Sequence, residues 1–254
     1  EVLTHCIKLF IETLQGNKRF TRLQMMDLLE KSGISTKSQR GYHILWYTSQ
    51  IGLICHGPMQ DKQQTFVLLD EWVSNAKKLS RNDALHELAK RYFTSHGPAT
   101  IHDFAWWGGL TVKDAKLSVE LAKGEIYSQK INEKEYWMVN NTVPNHVKYN
   151  ENSVHLLPGF DEYLLGYKDR SAVLSAEHAP QVVPGNNGIF LPTLVIEGQV
   201  AGTWKRKQKV HSLEMIVHPF KKIEEAKERI VFEAKKYSKF IGKPLVSDTI
   251  EITN

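Results

Sequence analysis

The chain has 254 residues, a hydrophobic content of 41% and a formal net charge of +5 at pH 7. Because a single domain usually has roughly 100–200 residues, this length predicts about two or three domains. The longest apolar run, residues 188–196, contains Pro192 and ends before Glu197. A helix needs ~20 apolar residues to cross a bilayer, so we predict neither a transmembrane segment nor a membrane partner.

The cysteines and the first residues bear on the cellular compartment. Cys6 and Cys55 are the two cysteines of the sequence, too few for a disulfide framework or a cysteine-based zinc site. They suit a reducing compartment. The first ten residues lack the basic and apolar regions of a signal peptide. We therefore predict a cytoplasmic location, no metal and no disulfide.

The N-terminal part of the chain has the pattern of successive helices. Residues 2–14 carry apolar side chains at helical spacing, and Thr21 is a suitable N-cap for a second helix that stops before Gly33. A third helix is expected to run from Ser35 or Thr36 to Gly52. Its outward residues are polar or aromatic, at helical spacing: Gln39, His43, Trp46 and Gln50.

A hairpin follows these helices. Residues 53–55 and 65–69 are predicted strands around a polar turn at residues 57–64. Helices followed by such a hairpin are typical of a winged-helix unit, whose last helix can enter a major groove ~12 Å wide. We therefore expect a winged-helix unit over residues 1–78.

The same order of elements recurs further along the chain. Residues 83–95 have the pattern of an amphipathic helix, Thr100 is a suitable N-cap for the next helix, and Gly108 with Gly109 ends it. Thr111 is expected to cap a third helix, and a second hairpin is expected to turn near residues 132–134. Two copies of one unit favour a tandem array.

Strands dominate the remainder of the sequence. Apolar segments predict five strands, at residues 154–158, 162–167, 188–196, 199–204 and 213–220. Glu197 and Gly198 form a suitable tight turn, and a final helix over residues 223–241 is expected to cover one side of the sheet. The predicted fold class is α+β: tandem winged-helix units followed by an antiparallel β-barrel-like C-terminal domain with a terminal helix. The predicted domains are residues 1–78, 79–146 and 147–254.

Two groups of polar and basic residues are candidates for contacts with DNA. The first group lies on the third predicted helix and can reach phosphates or base edges: Lys37, Gln39, Arg40 and His43. The second is the densest basic cluster, beside Trp204 and expected in a hairpin loop: Lys205, Arg206, Lys207 and Lys209. Solvated surfaces that keep the protein soluble are the alternative interpretation of both groups.

Two further patterns do not predict a metal or a cofactor. His86 and Glu87 begin like a zinc-protease helix, but Lys90 stands where the second histidine ligand must be. Gly108 and Gly109 lack the spacing and the following Lys–Ser/Thr pair of a phosphate-binding loop. We therefore predict no cofactor and no metal site.

The clustered carboxylates and tryptophans have structural interpretations. We expect Asp161, Glu162 and Asp169 to cap turns or form surface pairs, in preference to an acid–base pair. Trp106 and Trp107 point about 100° apart on a helix, so we expect one in the core and the other packed between units. Stacking on DNA is the alternative for either ring.

Four segments carry a resemblance that covers essentially the whole chain. They are FVLLDEW at residues 66–72, RYFTSHGPATIHDFAWWGGL at 91–110, LLPGFDEYLLGYKDRSAVL at 156–174 and VIEGQVAGTWKR at 195–206. In these segments the sequence resembles bacterial winged-helix DNA-binding proteins related to the interstrand-crosslink DNA glycosylases. The resemblance implies three tandem winged helices forming a concave scaffold, a C-terminal β-barrel and, in some members, excision of alkylated bases from DNA.

The sequence departs from this family at the catalytic motif. Active members carry a Gln–apolar–Gln or Gln–apolar–Asp triplet in the first winged helix, and no such triplet occurs here. The nearest candidates fail, because Gln50 and Ile51 are followed by Gly52 and Gln60 is followed by Asp61. By this alignment the chain is expected to begin after the first winged helix. No catalytic residue is therefore assigned, and enzymatic activity stays open.

More than one function is compatible with these observations. The leading interpretation is a duplex-DNA-binding protein, the winged-helix scaffold of a DNA-repair glycosylase-like family. The alternatives are a winged-helix DNA-binding protein without enzymatic activity and a protein-interaction module. The predicted partner is double-stranded DNA, with a protein partner or a missing N-terminal winged helix as a further one.

Overall fold

The computed structural model of the chain describes residues 1–139 and 152–246, together with the backbone of residues 251 and 252. The chain divides into a first unit, Glu1–Lys78, and a second unit, Leu79–Asn254. The predicted domain boundary between residues 146 and 147 lies outside the described residues, so the three-domain division stays a prediction.

The first unit packs three helices against a small sheet. Its elements are α1 (Val2–Leu14), β1 (Phe20–Thr21), α2 (Arg22–Lys31), α3 (Arg40–Gln50), β2 (Ile54–His56), β3 (Thr65–Leu68) and α4 (Leu69–Trp72). The core joins buried side chains of the three long helices, among them Phe10, Leu29 and Ile44. The strands pair antiparallel in the order β1-β3-β2. The predicted helices and hairpin of this part of the chain are confirmed.

Local hydrogen bonds set where the helices of the first unit begin. Thr21 caps α2 as predicted, in a capping box with Gln24. The predicted start of α3 at Ser35 or Thr36 is wrong. The Glu30 carboxylate accepts 2.7 Å hydrogen bonds from the amide and the hydroxyl of Thr36. The backbone at residues 38 and 39 is left-handed, so α3 begins only at Arg40.

The second unit continues with helices and then strands. Its elements are α5 (Arg81–His96), α6 (Ile101–Gly108), α7 (Val112–Leu121), β4 (Ile126–Ile131), β5 (Lys134–Val139), β6 (Val154–Leu157), α8 (Glu162–Leu165), α9 (Ala179–Val182), β7 (Thr193–Ile196), β8 (Gln199–Gln208), β9 (Leu213–Pro219), α10 (Lys227–Ile241) and β10 (Glu251–Ile252). Short 3-10 turns span Pro184–Asn186 and Glu224–Ala226.

The helices and the hairpin at the start of the second unit agree with the sequence. Thr100 and Thr111 cap α6 and α7 as predicted. The β4–β5 hairpin turns at Asn132 and Glu133, whose φ values of 47° and 62° match a type I′ turn. The core beneath these elements is aromatic and includes Phe104.

The C-terminal strands form an open sheet and not the predicted barrel. The sheet has five strands in the order β10-β9-β8-β7-β6, and within the described residues its two edge strands do not pair with each other. The β7–β8 hairpin turns at Glu197 and Gly198 as predicted. Helix α10 packs on one face of the sheet, where Ile230 and Ala234 join the core around Trp204. Because α10 covers this face, the sheet buries it without closing.

Two predicted strands are wrong in whole or in part. Residues 162–167 were predicted as a strand, but they contain the one-turn helix α8, because the Asp161 side chain accepts a 2.9 Å hydrogen bond from the Tyr163 amide and caps the turn. In the predicted strand at residues 188–196 only Thr193–Ile196 is extended in the sheet. Pro192 lacks the amide that a ladder hydrogen bond needs.

The structure bears on the metal, disulfide and membrane predictions. The part of the chain that the structure describes contains no group of three or more His, Cys, Asp or Glu side chains placed to hold a metal ion. Cys6 is buried, Cys55 is half-buried, and both are free thiols. In the described ranges, no helix has both the length and the apolar character needed to span a bilayer.

Candidate nucleic-acid interface

The predicted DNA-contacting residues of the first unit lie at the start of α3. Lys37 and Gln39 belong to the turn before the helix, Arg40 is its first residue, and His43 follows on the same exposed side. All four residues are exposed. Their side chains form no hydrogen bond or ion pair with any described residue. The two cations among them are therefore available to an external anion.

Close packing of α3 against α2 fixes which side of α3 faces outward. A Cβ at Gly41 would meet the sulfur of Met26 and would lie 2.9 Å from the Cβ of Thr36. On the same inward side Thr48 is fully buried, and its hydroxyl donates a 2.8 Å hydrogen bond to the Ile44 carbonyl. The outward side consequently presents His43 and an aromatic surface that includes Trp46.

The exposed surface of the first unit continues onto residues that the sequence analysis missed. The Arg22 guanidinium lies 5.5 Å from the centroid of the Tyr42 ring on α3. Arg22 also lines a cavity of about 410 Å³ together with Met59, Lys62, Gln63, Gln64 and Phe66. This lining holds two cations and no carboxylate. A signal for Arg22 was present in the sequence, because a cation directly after an N-cap opposes the helix dipole and needs an anion nearby.

The basic cluster of the second unit lies on a strand and not in the predicted loop. Strand β8 continues past Trp204 and pairs with β9 through Gln208. Lys205, Arg206 and Lys207 are therefore strand residues, and only Lys209 lies in the following loop. The prediction failed because it ended the strand at the last apolar residue, whereas backbone pairing with β9 extends it through the exposed cations.

Strand alternation divides this basic cluster between two faces. Arg206 shares a face with Trp204, and its guanidinium lies 5.5 Å from the ring centroid of Tyr237 on α10. Lys205 and Lys207 point to the other face, where neither ammonium group has a partner among the described residues. The Lys209 ammonium group is 3.4 Å from the Glu214 carboxylate. The cluster thus offers two free lysines.

Neither tryptophan at the end of α6 lies in the core, so the core position predicted for one of them is wrong. Trp106 is 42% exposed and Trp107 is 36% exposed. The Trp107 indole donates a 3.0 Å hydrogen bond to the Glu162 carboxylate. The Trp106 ring lies beside the guanidinium of Arg170. Each ring meets a polar partner at the surface, which explains why neither needs full burial.

The clustered carboxylates cap and pair as predicted. Besides the Asp161 cap of α8, the Asp169 carboxylate accepts hydrogen bonds from Lys134 at 2.6 Å and from the Ser171 hydroxyl at 2.6 Å. These donors hold the pKa of Asp169 well below its usual range. Such a group remains ionised and does not supply a proton, so it is unsuited to acid catalysis near neutral pH.

The chain belongs to the DNA glycosylase AlkZ-like family, whose profile matches residues 3–240. The matched range includes residues of both units.

One relative and one solved structure come from the same organism. The chain is 27% identical over 186 residues to the interstrand DNA cross-link repair glycosylase of Streptomyces sahachiroi, a match that covers 66% of this chain and 46% of the relative. The chain thus spans about half the length of that relative. The structure of the Streptomyces sahachiroi DNA glycosylase AlkZ is similar with a TM-score of 0.77 at 21% identity, over 99% of this chain and 68% of that one. This likeness shows the fold.

Proposed function

We propose that the chain binds duplex DNA through its phosphates and that its two helix–hairpin segments, residues 2–68 and 81–139, are winged helices of a DNA-repair scaffold. The observation that carries the proposal is the exposed start of α3, where the side chains of Lys37 and Arg40 form no hydrogen bond or ion pair with any residue that the structure describes. In winged-helix proteins the last helix before the hairpin is the one that enters the major groove.

Phosphate contacts supply most of the binding in this proposal. Arg22 and Lys62 extend the positive surface of the first unit, and Lys205 and Lys207 provide a second one. Each phosphate that a cation neutralises releases counterions. The logarithm of the binding constant therefore falls linearly with the logarithm of the salt concentration, and each neutralised phosphate contributes about 0.9 to the steepness of this line, which we call the salt slope. Because contacts to phosphates carry no sequence information, we expect binding with little sequence preference.

We further propose that the 254-residue chain does not release alkylated bases. A glycosylase extrudes its target base and needs a group that positions or activates water at the sugar carbon. The Gln-containing triplet that the family resemblance assigns to this task is absent from the sequence. Cleavage at abasic sites, after incubation of the chain with alkylated duplex, measures this directly, and release of base would show that other residues supply the chemistry.

The basic strand β8 provides a test of the phosphate contacts. Replacing Lys205, Arg206, Lys207 and Lys209 together by Ala should weaken binding similarly on duplexes of different sequence. The salt slope should fall by about two units, because two of the four cations, Lys205 and Lys207, have no partner among the described residues. Fluorescence anisotropy of a labelled duplex at several salt concentrations measures both quantities.

A matched control removes cations that are already paired. Four such cations match the four of the β8 variant in number: Lys31 is paired with Asp27, Arg91 with Glu87, Lys123 with Glu120 and Lys236 with Glu233. Their replacement by Ala should leave the salt slope unchanged. An equal loss of salt slope in this control and in the β8 variant would show that the β8 effect comes from net charge alone. If the unaltered chain showed no salt-dependent binding, the proposed function would be wrong.

A second candidate function is recognition of a protein partner. The observation that favours it is Trp46, which is 63% exposed on the outward side of α3. Exposed tryptophans are typical anchors of protein interfaces. Under this alternative Trp46→Ala would abolish binding to the partner, whereas binding to DNA would be absent.

A further inference from the structure

Arg170 is held in a fixed position by an aromatic pair and a backbone carbonyl. Its guanidinium lies 5.0 Å from the ring centroid of Trp106 and 4.8 Å from that of Phe190. Its Nε donates a 2.7 Å hydrogen bond to the carbonyl oxygen of Leu164. Three contacts from different parts of the second unit therefore orient one planar group.

The terminal nitrogens of this guanidinium have no partner. Nη1 and Nη2 of Arg170 make no hydrogen bond or ion pair with any residue that the structure describes. Arg170 is only half-exposed, and burial lowers the pKa of its guanidinium from the ordinary value. A partly desolvated cation with free donors is costly unless an anion completes it.

The neighbouring carboxylates are occupied by other donors. Asp103 is 3% exposed and accepts hydrogen bonds from the amide and hydroxyl of Thr100 and from the amides of Lys168 and Asp169. Asp169 in turn binds Lys134 and Ser171. The nearby charge of Asp103 partly offsets the effect of burial on the pKa of Arg170. Within the described part of the chain, however, neither carboxylate forms an ion pair or a hydrogen bond with the Arg170 guanidinium.

A cavity leads to the guanidinium. Its volume is about 600 Å³, and its walls are made of Arg170, Ser171, Leu174, Ala176, Ala179, Pro180, Val183, Gly185 and Asn186. Arg170 is the charged residue in this lining; the other walls are small, apolar or neutral. Such a cavity favours a ligand that has one anionic group and a less polar body.

We propose that Nη1 and Nη2 of Arg170 bind a phosphate group of the DNA backbone, with the adjoining sugar against the apolar wall of this cavity. The assignment rests on the proposed function and adds a phosphate-binding residue that is distinct from the surfaces of α3 and β8. A guanidinium presents two parallel N–H groups to phosphate oxygens, which a lysine ammonium group cannot do. The two aromatic rings stabilise the charge until the phosphate arrives.

The test compares Arg170→Met with Arg91→Met in anisotropy titrations of the whole chain with a labelled duplex at several salt concentrations. Arg91 is an exposed arginine of the same unit whose guanidinium is paired with Glu87 at 2.7 Å. Both variants remove one charge and keep most of the side-chain volume. Arg170→Met should lower the affinity about tenfold and the salt slope by about one unit, whereas Arg91→Met should leave the slope unchanged.

Two further variants keep the proposal testable if Arg170→Met unfolds. Arg170→Lys retains the charge but not the paired donors, and Trp106→Leu removes one ring that is already partly exposed. Both should bind duplex more weakly than the unaltered chain at an unchanged melting temperature. Unaltered affinity in both, or equal slopes in the two methionine variants, would overturn the role of Arg170 alone. Absence of duplex binding by the unaltered chain would overturn the proposed function and this assignment together.

Discussion

The two helix–hairpin segments have the same order of elements but different surfaces on the helix that precedes the hairpin. Helix α3 of the first segment contains no Asp or Glu and exposes Arg40, His43 and Trp46. Helix α7 of the second contains Asp114 and Glu120, each in an ion pair with a neighbouring cation. Because α7 also carries Lys113 and Lys116, its two positive and two negative side chains cancel, whereas α3 carries Arg40 and no acidic side chain and is therefore net positive.

The second segment uses much of its surface for contacts inside its own unit. The Tyr92 hydroxyl donates a hydrogen bond to the Gly166 carbonyl at 2.7 Å, and the Tyr167 hydroxyl donates one to the His96 carbonyl at 2.8 Å. The Asp103 carboxylate accepts hydrogen bonds from the backbone amides of Lys168 and Asp169, in the loop that follows α8. A repeated order of elements therefore does not imply a repeated function, because the function depends on the side chains that face outward.

The largest effect expected from this difference is on stability. Asp103→Ala should lower the free energy of unfolding by about 3 kcal/mol, because it removes a capping box and the buried acceptor of two loop amides, those of Lys168 and Asp169. Chemical denaturation followed by circular dichroism measures it.

Asp114 is the matched control for Asp103. It occupies the same position, three residues after the cap, in α7, but it is partly exposed, and its carboxylate binds the exposed Arg81 and the side chain of Thr111 without any distant loop amide of the described chain. Asp114→Ala should therefore shift the unfolding transition much less. Equal losses in the two variants would contradict the structural role assigned to the buried carboxylate.

A smaller effect is expected from pH. Lys134 at the tip of the second hairpin is paired with Asp169, and its hydrogen bond lowers the pKa of this carboxyl. Lys62 at the tip of the first hairpin has no such carboxylate partner among the described residues. A lowered pKa in the folded state stabilises the protein above the ordinary Asp value, and this contribution is lost as the pH falls through the folded pKa. Because the pair is partly exposed, solvent screening keeps the effect small.

Thermal unfolding between about pH 5 and pH 2 measures this contribution. Asp169→Asn should melt at a lower temperature than the unaltered chain near pH 5, and the difference should shrink as the solution becomes more acidic. A difference that stays constant over this range would show that the carboxylate does not stabilise the fold through its charge.

Features determined by neighbouring residues could be predicted from the sequence. The caps at Thr21, Thr100 and Thr111 each depend on a side chain and an amide three residues apart. The turn at Glu197 and Gly198 likewise depends on two adjacent residues. These local signals fixed the order of helices and hairpins along most of the described chain.

Features that depend on distant residues could not be predicted in this way. Nothing near Thr36 in the sequence shows that Glu30 binds it and delays the start of α3. The error at α8 has a different cause: its apolar residues suit a strand as well as a single helical turn, and the adjacent Asp161 cap, a local signal, decides between them. The position of the Arg170 guanidinium, with its two terminal nitrogens free of described partners, depends on Trp106 and Phe190, which only the fold places beside it.

Two double variants test whether α3, and not α7, is the helix that contacts DNA. Lys37→Met with Arg40→Met, and separately Lys113→Met with Lys116→Met, remove two positive charges each from the helix and its preceding turn. Salt-dependent anisotropy of a labelled duplex should show the slope reduced by about two units in the first double variant and unchanged in the second. Equal slopes in the two double variants, or a larger loss from the α7 pair, would contradict the claim that α3 is the helix that contacts DNA.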